Sequence, residues 1–144
     1  MHNIFRIPVL NFVFRTSRAI AIAPHKENPQ LLETAYDEIA AALDNGDLVG
    51  IFPEGRITDT GELYPFRSGI TRIIQRNPVK VVPLALRGLW GSFFSRKGGR
   101  AMTDLSRIAP FKKISLYAGE PVLAEHATPE GLQQKVLALR GNWK

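Results

Sequence analysis

Short apolar runs alternate along this chain with segments that have the spacing of amphipathic helices, and this alternation limits the folds that it can adopt. The runs are five to eight residues long: Ala19–Ala23, Leu48–Phe52, Val79–Leu86 and Ile114–Ala118. Runs of this length suit strands and are too short for buried helices. Apolar strands between amphipathic helices are typical of layered α/β domains. The pattern therefore predicts an α/β fold with a mostly parallel central sheet flanked by helices.

Capping signals and apolar spacing predict the helices. Asn28-Pro29 has the residue types of an N-cap followed by the first helical position, and Thr128-Pro129 begins a last helix in the same way. Ser68–Arg76 is expected to form a short helix between them. The apolar residues 4–15 fit a helix that has Pro8 in its first turn.

Length and composition exclude several classes of protein. The 144 residues are enough for one domain, so residues 1–144 are predicted to form a single domain. The absence of cysteine excludes disulfides, a thiol nucleophile and cysteine-ligated metals, and the scattered histidines predict no metal site. No apolar run approaches the roughly 18 residues of a membrane-spanning helix, and no signal peptide is recognisable. A cytoplasmic chain, soluble or peripheral at a membrane, is expected.

Positive charge is concentrated in the second half of the chain. Residues 1–72 carry seven basic and nine acidic side chains, whereas residues 73–144 carry twelve basic and four acidic ones. A field of one sign attracts an anionic partner such as a phosphorylated substrate, an anionic lipid surface or nucleic acid. A solvated basic face without a special role is an equally good explanation.

One turn concentrates the candidate chemistry. The block Phe52–Arg56 directly follows a predicted strand, and ligands of open α/β sheets bind beyond the carboxyl ends of strands. Arg56 offers a planar fork that matches phosphate oxygens, and Glu54 can orient that arginine or a substrate hydroxyl. Further candidates for an anion site follow in the sequence: Thr58, Arg67 and Ser68-Gly69. On the turn alone, an ordinary strand-to-loop connection is the favoured explanation.

Several blocks resemble the glycerophospholipid acyltransferases, the lysophosphatidic acid acyltransferase family. Phe52–Arg56 is similar to the Phe-Pro-Glu-Gly block of that family, and Phe66–Gly69 to its aromatic-basic-x-Gly step. Val82–Leu86 resembles its Val-Pro strand. Residues 56–61 are similar to the bacterial lysophospholipid branch. Together the blocks extend over residues 4–95 in the order of the family.

The resemblance implies a glycerolphosphate-acyltransferase-like fold and a reaction. Members of the family transfer a fatty acyl group from acyl-CoA or acyl-carrier protein to a lysophospholipid such as 1-acylglycerol-3-phosphate, without a cofactor. A histidine in an Asn-His-x4-Asp block acts as general base on the acceptor hydroxyl. The resemblance also implies an anionic membrane surface as partner, at the inner face of the membrane. It implies acceptor-binding roles for Phe52, Pro53, Glu54, Gly55, Arg56, Thr58 and Arg67.

The sequence departs from the family in two places. No histidine is followed by aspartate five residues later, so the chain is predicted to contain no catalytic residue. We expect the catalytic block upstream of Met1 in a longer protein, with the first strand and helix of the fold, and little or no activity in this chain. Where many members have a phosphate-binding arginine, this sequence has Ala23-Pro24-His25. The phosphate could instead be met by Arg56, Arg67 or the basic stretch Arg87–Arg100, and a phosphoethanolamine-type lysolipid would demand less positive charge.

Two alternatives come from other classes of protein. One is a non-catalytic module derived from the same fold that binds phosphate or an anionic lipid. The other is a nucleic-acid-binding domain, which is ranked last because the aromatic residues of the basic segment cluster in one loop rather than on a sheet face. These aromatic residues either enter a lipid interface or pack as the core of the loop: Trp90, Phe93 and Phe94.

Overall fold

The computed structural model describes residues 28–101 and 113–143, together with residues 19–20, 22 and 105–107. Its elements are helix α1 (Pro29–Asp44), helix α2 (Gly69–Arg76), strand β1 (Leu84–Arg87), strand β2 (Ser115–Ala118) and helix α3 (Pro129–Arg140). Short 3-10 turns lie at Leu105–Arg107 and Ala124–His126. The chain divides into two compact units, Met1–Val49 and Gly50–Lys144. The helix predicted within residues 4–15 lies outside the described residues.

Helix α1, in the first unit, confirms the predicted start. The side-chain oxygen of Asn28 accepts a hydrogen bond of 2.9 Å from the amide of Leu31, which satisfies one of the free N–H groups at the helix start. Pro29 lacks an amide hydrogen and is therefore tolerated at the first helical position. The helix buries one side, formed by Ala35, Tyr36 and Ile39.

The second unit contains the other two predicted helices. Helix α2 buries three isoleucines, Ile70, Ile73 and Ile74, while the basic side chains between and beyond them are directed away from the core. Helix α3 begins after Thr128, whose hydroxyl accepts a hydrogen bond of 3.1 Å from the amide of Gly131. Both helices are confirmed. Thr128 caps helix α3 as its start signal predicts, whereas the side chain of Ser68 makes no capping bond at the start of helix α2.

The described sheet has two strands that pair antiparallel, which corrects the predicted mostly parallel sheet. Leu84 pairs with Ala118, and Arg87 pairs with Ser115. Parallel neighbours need a crossover that is usually helical, and no α-helix lies among the described residues between β1 and β2. Alternating runs predict that strands form but leave their direction open. The fold is mixed α/β.

Two predicted strands do not form in the part of the chain that the structure describes. The run Leu48–Phe52 has no strand assignment, with Leu48 fully exposed and Phe52 78% exposed. In Ala19–Ala23, the described residues 19, 20 and 22 also lack strand pairing. An apolar run becomes a strand only where a partner supplies the ladder hydrogen bonds, and the run itself does not specify that partner.

The third predicted strand is shortened by Pro83. This proline has no amide hydrogen to donate and lies just before β1, where a ladder bond is not required of it. Before it, Val81 and Val122 exchange both of their N–H···O bonds, at 2.9 and 2.8 Å. Three steps separate Val81 from Leu84, whereas four separate Val122 from Ala118, so the second segment contains a bulge.

The core of the second unit joins helix α2, helix α3 and the segment that follows β2. Its buried members are Ile70, Ile74, Val122, Ala127 and Leu132. The ring of Phe66 is half-buried against this cluster and anchors the chain immediately before helix α2. The core therefore fixes the end of the loop that begins at the Phe52–Arg56 turn.

Candidate functional site

The block Phe52–Arg56 forms a hydrogen-bonded β-turn. The amide of Gly55 donates to the carbonyl of Phe52 at 3.0 Å, and Gly55 has a φ of +65°, which residues with a side chain rarely adopt. Pro53 and Gly55 occupy the second and fourth positions, where β-turns favour these residue types. The turn therefore follows from its own sequence, although no strand precedes it.

Two hydrogen bonds join this turn to the segment 64–67. The carboxylate of Glu54 accepts a bond of 2.7 Å from the amide of Tyr64, and the carbonyl of Pro53 accepts one of 2.9 Å from the amide of Arg67. Glu54 thus holds the backbone of the loop, where the sequence predicted that it would orient an arginine or a substrate hydroxyl. Segment 64–67 lies beside the turn as a result.

The guanidinium of Arg56 lies over the ring of Tyr64, 3.9 Å from its centre, and donates to the hydroxyl of Tyr64 at 3.1 Å. The Tyr64 hydroxyl in turn donates to Asp59. A carboxylate oxygen of Asp59 is 3.7 Å from Nη2 of Arg56, and both side chains are 45% exposed. We call these three residues the Arg56 network. Asp59 opposes the charge of Arg56, so an anion that binds there shares the guanidinium with a carboxylate.

The same contacts shift two pKa values. The hydrogen bond from Tyr64 holds the pKa of Asp59 below its ordinary value, and the positive charge of Arg56 adds to this effect. That hydrogen bond raises the pKa of Tyr64, because a phenolate would lose it and face the carboxylate. At neutral pH the network therefore consists of an arginine cation, a neutral phenol and a carboxylate anion.

Arg67 lies against Gly55. A Cβ placed on Gly55 would be 3.0 Å from Nε of Arg67, so the missing side chain leaves the room that this arginine uses. Arg67 is exposed, and within the described ranges its side chain has no ion pair or hydrogen bond. Arg67 thus lies against Gly55, the residue before Arg56, and none of the described carboxylates forms an ion pair with it.

Thr58 belongs to a tight loop that the aromatic segment supports. Its hydroxyl accepts a bond of 3.1 Å from the amide of Gly61, and the hydroxyl of Thr60 accepts one of 3.2 Å from Glu62. Gly61 has a φ of +82° and packs directly on Trp90, whose Cε2 would be 2.8 Å from a Cβ at that position. Trp90 is therefore a packing residue beneath the loop.

Helix α3 holds the segment that follows the turn at two points. Arg140 donates from Nη1 to the carbonyl of Gly61 and from Nη2 to the carboxylate of Glu62, each at 3.0 Å. The side chain of Arg140 is only 16% exposed. Nearer the start of the helix, Gln133 accepts a bond of 3.2 Å from the amide of Phe66. The loop thus has a fixed position on helix α3.

The structure brings most of the predicted site residues to one turn and the loop that follows it. Phe52 is exposed at the start of that turn. Sequence reasoning missed four residues that complete the arrangement: Asp59, Tyr64, Gln133 and Arg140. The spacing of Asp59 three residues after Arg56 was a usable local signal. Nothing in the sequence indicated Gln133 or Arg140, because their partners are 67 and 79 residues away along the chain.

The arginines of the basic stretch Arg87–Arg100 have different roles. Arg87 donates from Nε to the carbonyl of Leu139 at 3.0 Å and lies 3.8 Å from the centre of the Tyr117 ring. It therefore joins the sheet to helix α3 and is engaged away from the turn. Arg96 is exposed and lies near enough to Asp59 to contribute to the lowered pKa of that carboxylate.

The aromatic loop contains one packing residue and one exposed residue, and its entry into a lipid interface stays a prediction. Trp90 packs under Gly61, whereas Phe94 is 59% exposed and makes an edge-to-face contact with Phe93 at 5.4 Å. His126 is exposed, 3.4 Å from Glu125. Among the described residues, no cluster of histidine and carboxylate side chains could hold a metal ion. No helix in these ranges is long and apolar enough to cross a membrane.

Comparisons with known proteins place these features in context. The family model described as Acyltransferase matches residues 1–87. An N-acylphosphatidylethanolamine synthase of Arabidopsis thaliana is 27% identical over 141 residues, which cover 94% of this chain and 46% of that protein. The chain thus spans about half the length of this relative. No solved structure gives a significant match. The segment that the family model matches contains the turn, the Arg56 network and Arg67.

Proposed function

Because this chain belongs to the acyltransferase family, we propose that it binds the acceptor in the transfer of a fatty acyl group from acyl-CoA or acyl-carrier protein to a lysophospholipid. The observation that carries this proposal is the pair of guanidinium groups, Arg56 and Arg67, at one glycine-containing turn. Arginine presents its donors in a planar fork that suits phosphate oxygens. The acceptor phosphate is the group that this turn would bind.

The two arginines contribute differently. Arg56 is held by the ring and hydroxyl of Tyr64, so its position is fixed before a ligand arrives. Arg67 is exposed beside Gly55, where its charge is not opposed by a described carboxylate. A phosphate close to Gly55 would lie within reach of both. We therefore assign most of the phosphate affinity to Arg67 and the orientation of the phosphate to Arg56.

Acyl transfer needs a general base as well as a bound acceptor. The acceptor hydroxyl attacks the thioester carbonyl, its proton passes to the base, and the thiol leaves with a proton. Five residues after each histidine the sequence has Ile7, Gln30 or Gly131, never the aspartate that the family pairs with its histidine. We propose that the 144 residues bind the acceptor and, without such a pair, transfer little or no acyl group.

We propose that the protein acts at an anionic membrane surface on the cytoplasmic side. Phe94 is exposed, and three basic side chains follow it within the same exposed loop: Arg96, Lys97 and Arg100. An apolar ring flanked by cations suits the boundary between headgroups and acyl chains.

The first experiment measures binding of lysophosphatidylethanolamine below its micellar concentration, with tryptophan fluorescence as the signal. Trp90 contacts the loop that carries Asp59 and is a natural reporter. We expect Arg67→Ala to weaken binding about tenfold or more, since a hydrogen bond to a charged group contributes about 1.5–3 kcal/mol. Lys135→Ala removes one exposed charge from helix α3 and is the matched control. Absence of binding, or equal losses in both variants, would overturn the proposal.

The second candidate function is a binding module without catalysis, which the missing histidine–aspartate pair favours. The two candidates differ in the thioester turnover of a longer protein that includes a histidine–aspartate pair ahead of these residues. If that protein consumes acyl-CoA in the presence of lysophospholipid and Arg67→Ala abolishes this, the chain is the acceptor-binding part of an enzyme. Binding that depends on Arg67 without consumption of acyl-CoA supports the module.

A further inference from the structure

A carboxylate is an unusual neighbour for an arginine that is expected to bind phosphate. Asp59 lies 3.7 Å from Nη2 of Arg56 and accepts the hydrogen bond of the Tyr64 hydroxyl. Because that hydrogen bond lowers the pKa of Asp59, the carboxylate is ionised at neutral pH. Any anion that binds at Arg56 therefore meets a fixed negative charge a few ångströms away.

This charge acts unequally on the two kinds of phosphate that a lysophospholipid can carry. A phosphomonoester has between one and two negative charges at neutral pH, whereas a phosphodiester has one. At roughly 6 Å and a dielectric constant between those of water and a protein surface, the additional charge costs about a three- to tenfold loss of affinity. Salt reduces this difference because the side chains are half-exposed.

The same charge attracts a cation on the ligand. Each carboxylate oxygen can accept more than one hydrogen bond. Those of Asp59 contact Tyr64 and Arg56, and the backbone amide of Asp59 and the charge of Arg96 also act on this carboxylate. With 45% of its side chain exposed, Asp59 can accept from an ammonium group that approaches through solvent. In a headgroup that joins a phosphate to an amine, the anionic phosphate would thus lie against Arg56 and the cationic ammonium against Asp59.

We propose that Asp59 shifts the selectivity of this site toward a phosphodiester that bears an ammonium group, such as lysophosphatidylethanolamine, and away from a phosphomonoester such as lysophosphatidic acid. The other charges near the turn, Arg56, Arg67 and Arg96, attract both kinds of phosphate. The inference rests on the proposed function, because it assumes that the turn binds a phosphate. Tyr64 acts as a positioning residue, since it contacts both Arg56 and Asp59 and holds the two charges side by side.

The test compares two water-soluble probes, glycerophosphoethanolamine and glycerol 3-phosphate, by titration calorimetry at low and constant salt. The ratio of the two affinities is compared between the wild-type chain and its variants. Asp59→Asn preserves the shape and can still accept from Tyr64, but it removes the charge. We expect it to tighten the binding of glycerol 3-phosphate about three- to tenfold and to weaken that of glycerophosphoethanolamine, so the ratio shifts toward the phosphomonoester.

Two further variants separate selectivity from general effects. Glu62→Gln removes a carboxylate from the same loop while keeping an acceptor for Arg140, and it should leave the preference unchanged. Tyr64→Phe retains the charge of Asp59 but removes the hydrogen bond that holds the carboxylate in place. This variant should shift the ratio of the two affinities less than Asp59→Asn does. A merely structural role of Asp59 would change the affinity for both probes by the same factor.

The outcomes distinguish the two proposals. If Asp59→Asn changes the ratio of the two Kd values less than twofold, or if Glu62→Gln changes it equally, the inference fails. The proposed function still stands in that case, provided that Arg67→Ala abolishes the binding of both probes. If the wild-type chain binds neither probe, both proposals fail together.

Discussion

Gly61 illustrates how a single residue without a side chain determines the packing of the site. Its backbone occupies the left-handed region, and the ring of Trp90 fills the space that a Cβ would take. Both constraints act on the same residue, so a substitution there is costly for two separate reasons. Gly46 has nearly the same backbone angle, φ +80°, but no atom lies near the position of its Cβ.

These two glycines form a matched pair of variants. We expect Gly61→Ala to lower the free energy of unfolding by about 2–4 kcal/mol, the sum of a left-handed residue with a side chain and an overpacked contact. Gly46→Ala should cost only about 1–2 kcal/mol, because the backbone conformation is its sole penalty. Urea unfolding followed by the circular dichroism of the helices, which lie in both units, measures both variants. Equal losses in the free energy of unfolding would show that the contact between Trp90 and the added methyl group is not destabilising.

The hydrogen bond between Tyr64 and Asp59 predicts a pH dependence. The raised pKa of Tyr64 stabilises the fold below the ordinary pKa of tyrosine, and this contribution disappears as the pH rises through the folded-state value. The lowered pKa of Asp59 stabilises it above the ordinary carboxylate pKa, and that contribution disappears as the pH falls through the folded-state value. Arg56 opposes the rise at Tyr64, because a cation favours the phenolate.

Ultraviolet titration of the tyrosinate band tests this coupling. We expect Asp59→Asn to shift the Tyr64 transition toward lower pH, since the neutral amide no longer disfavours the phenolate. Tyr64→Phe identifies this transition, because it should disappear from the curve. A Tyr64 transition that Asp59→Asn leaves in place would exclude the hydrogen bond as its cause.

At this scale, the sequence predicts what is local. The turn residues Pro53 and Gly55 act within four positions, so their geometry was accessible from the sequence. The hydrogen-bond partner of Glu54 could not be predicted, because a carboxylate that is close to an arginine in sequence does not necessarily contact it in the fold. In the structure Glu54 binds the amide of Tyr64, ten residues later.

Among the elements, helix α3 makes the largest contribution to the site. Its last turn bonds the loop at Gly61 and Glu62, and Gln133 bonds the amide of Phe66. Arg140 also has its Nε buried without a partner among the described residues, so part of its desolvation is uncompensated. The two hydrogen bonds of Arg140 to the loop therefore stabilise the fold less than two fully compensated bonds would.

Replacing Arg140 with methionine tests this support. The substitution retains an apolar stem of similar length and removes both bonds to the loop. We expect a loss of about 1–3 kcal/mol in the free energy of unfolding and a changed environment of Trp90, which packs on Gly61. Lys135→Met, on the same helix but exposed, should change stability by less than about 0.5 kcal/mol. Similar losses in both variants would contradict a supporting role for Arg140.

The contrast between helices and strands explains what could be predicted for the elements. Helices α1 and α3 begin at the expected prolines because Asn28 and Thr128 act on amides three residues away. The direction of β1 and β2 depends on which segments meet, and that is decided by packing far along the chain. The apolar run Leu48–Phe52 could not be predicted correctly for the same reason. Its composition indicates a strand but does not determine which segment would pair with it.

The distribution of charge is a property of the whole molecule. The chain has a formal net charge of +6, and the excess lies in its second half. Arg87 is engaged with helix α3, whereas Arg96, Lys97 and Arg100 are exposed in the loop that carries Phe94. Fewer basic side chains are therefore available to the proposed anionic membrane than the number of basic residues in the second half of the sequence suggests.

Vesicle binding tests this assignment at the molecular scale. We expect the chain to sediment with vesicles that contain phosphatidylglycerol, to leave vesicles of phosphatidylcholine alone, and to dissociate at high salt. Phe94→Ser should weaken binding roughly tenfold, because an apolar ring no longer enters the interface. Trp143→Ser is the matched control, since both rings are 59% exposed. An equal effect of both substitutions would remove the role of Phe94.

The position of helix α3 in the sequence has a consequence for the synthesis of the protein. Gly61 and its partner Arg140 are 79 residues apart, and the segment that the family model matches ends at residue 87. A ribosome that has just exposed the whole matched segment has not yet added the residues that hold its loop. The nascent chain therefore carries the family's motifs before it can assemble them. The site can mature only after helix α3 has been translated.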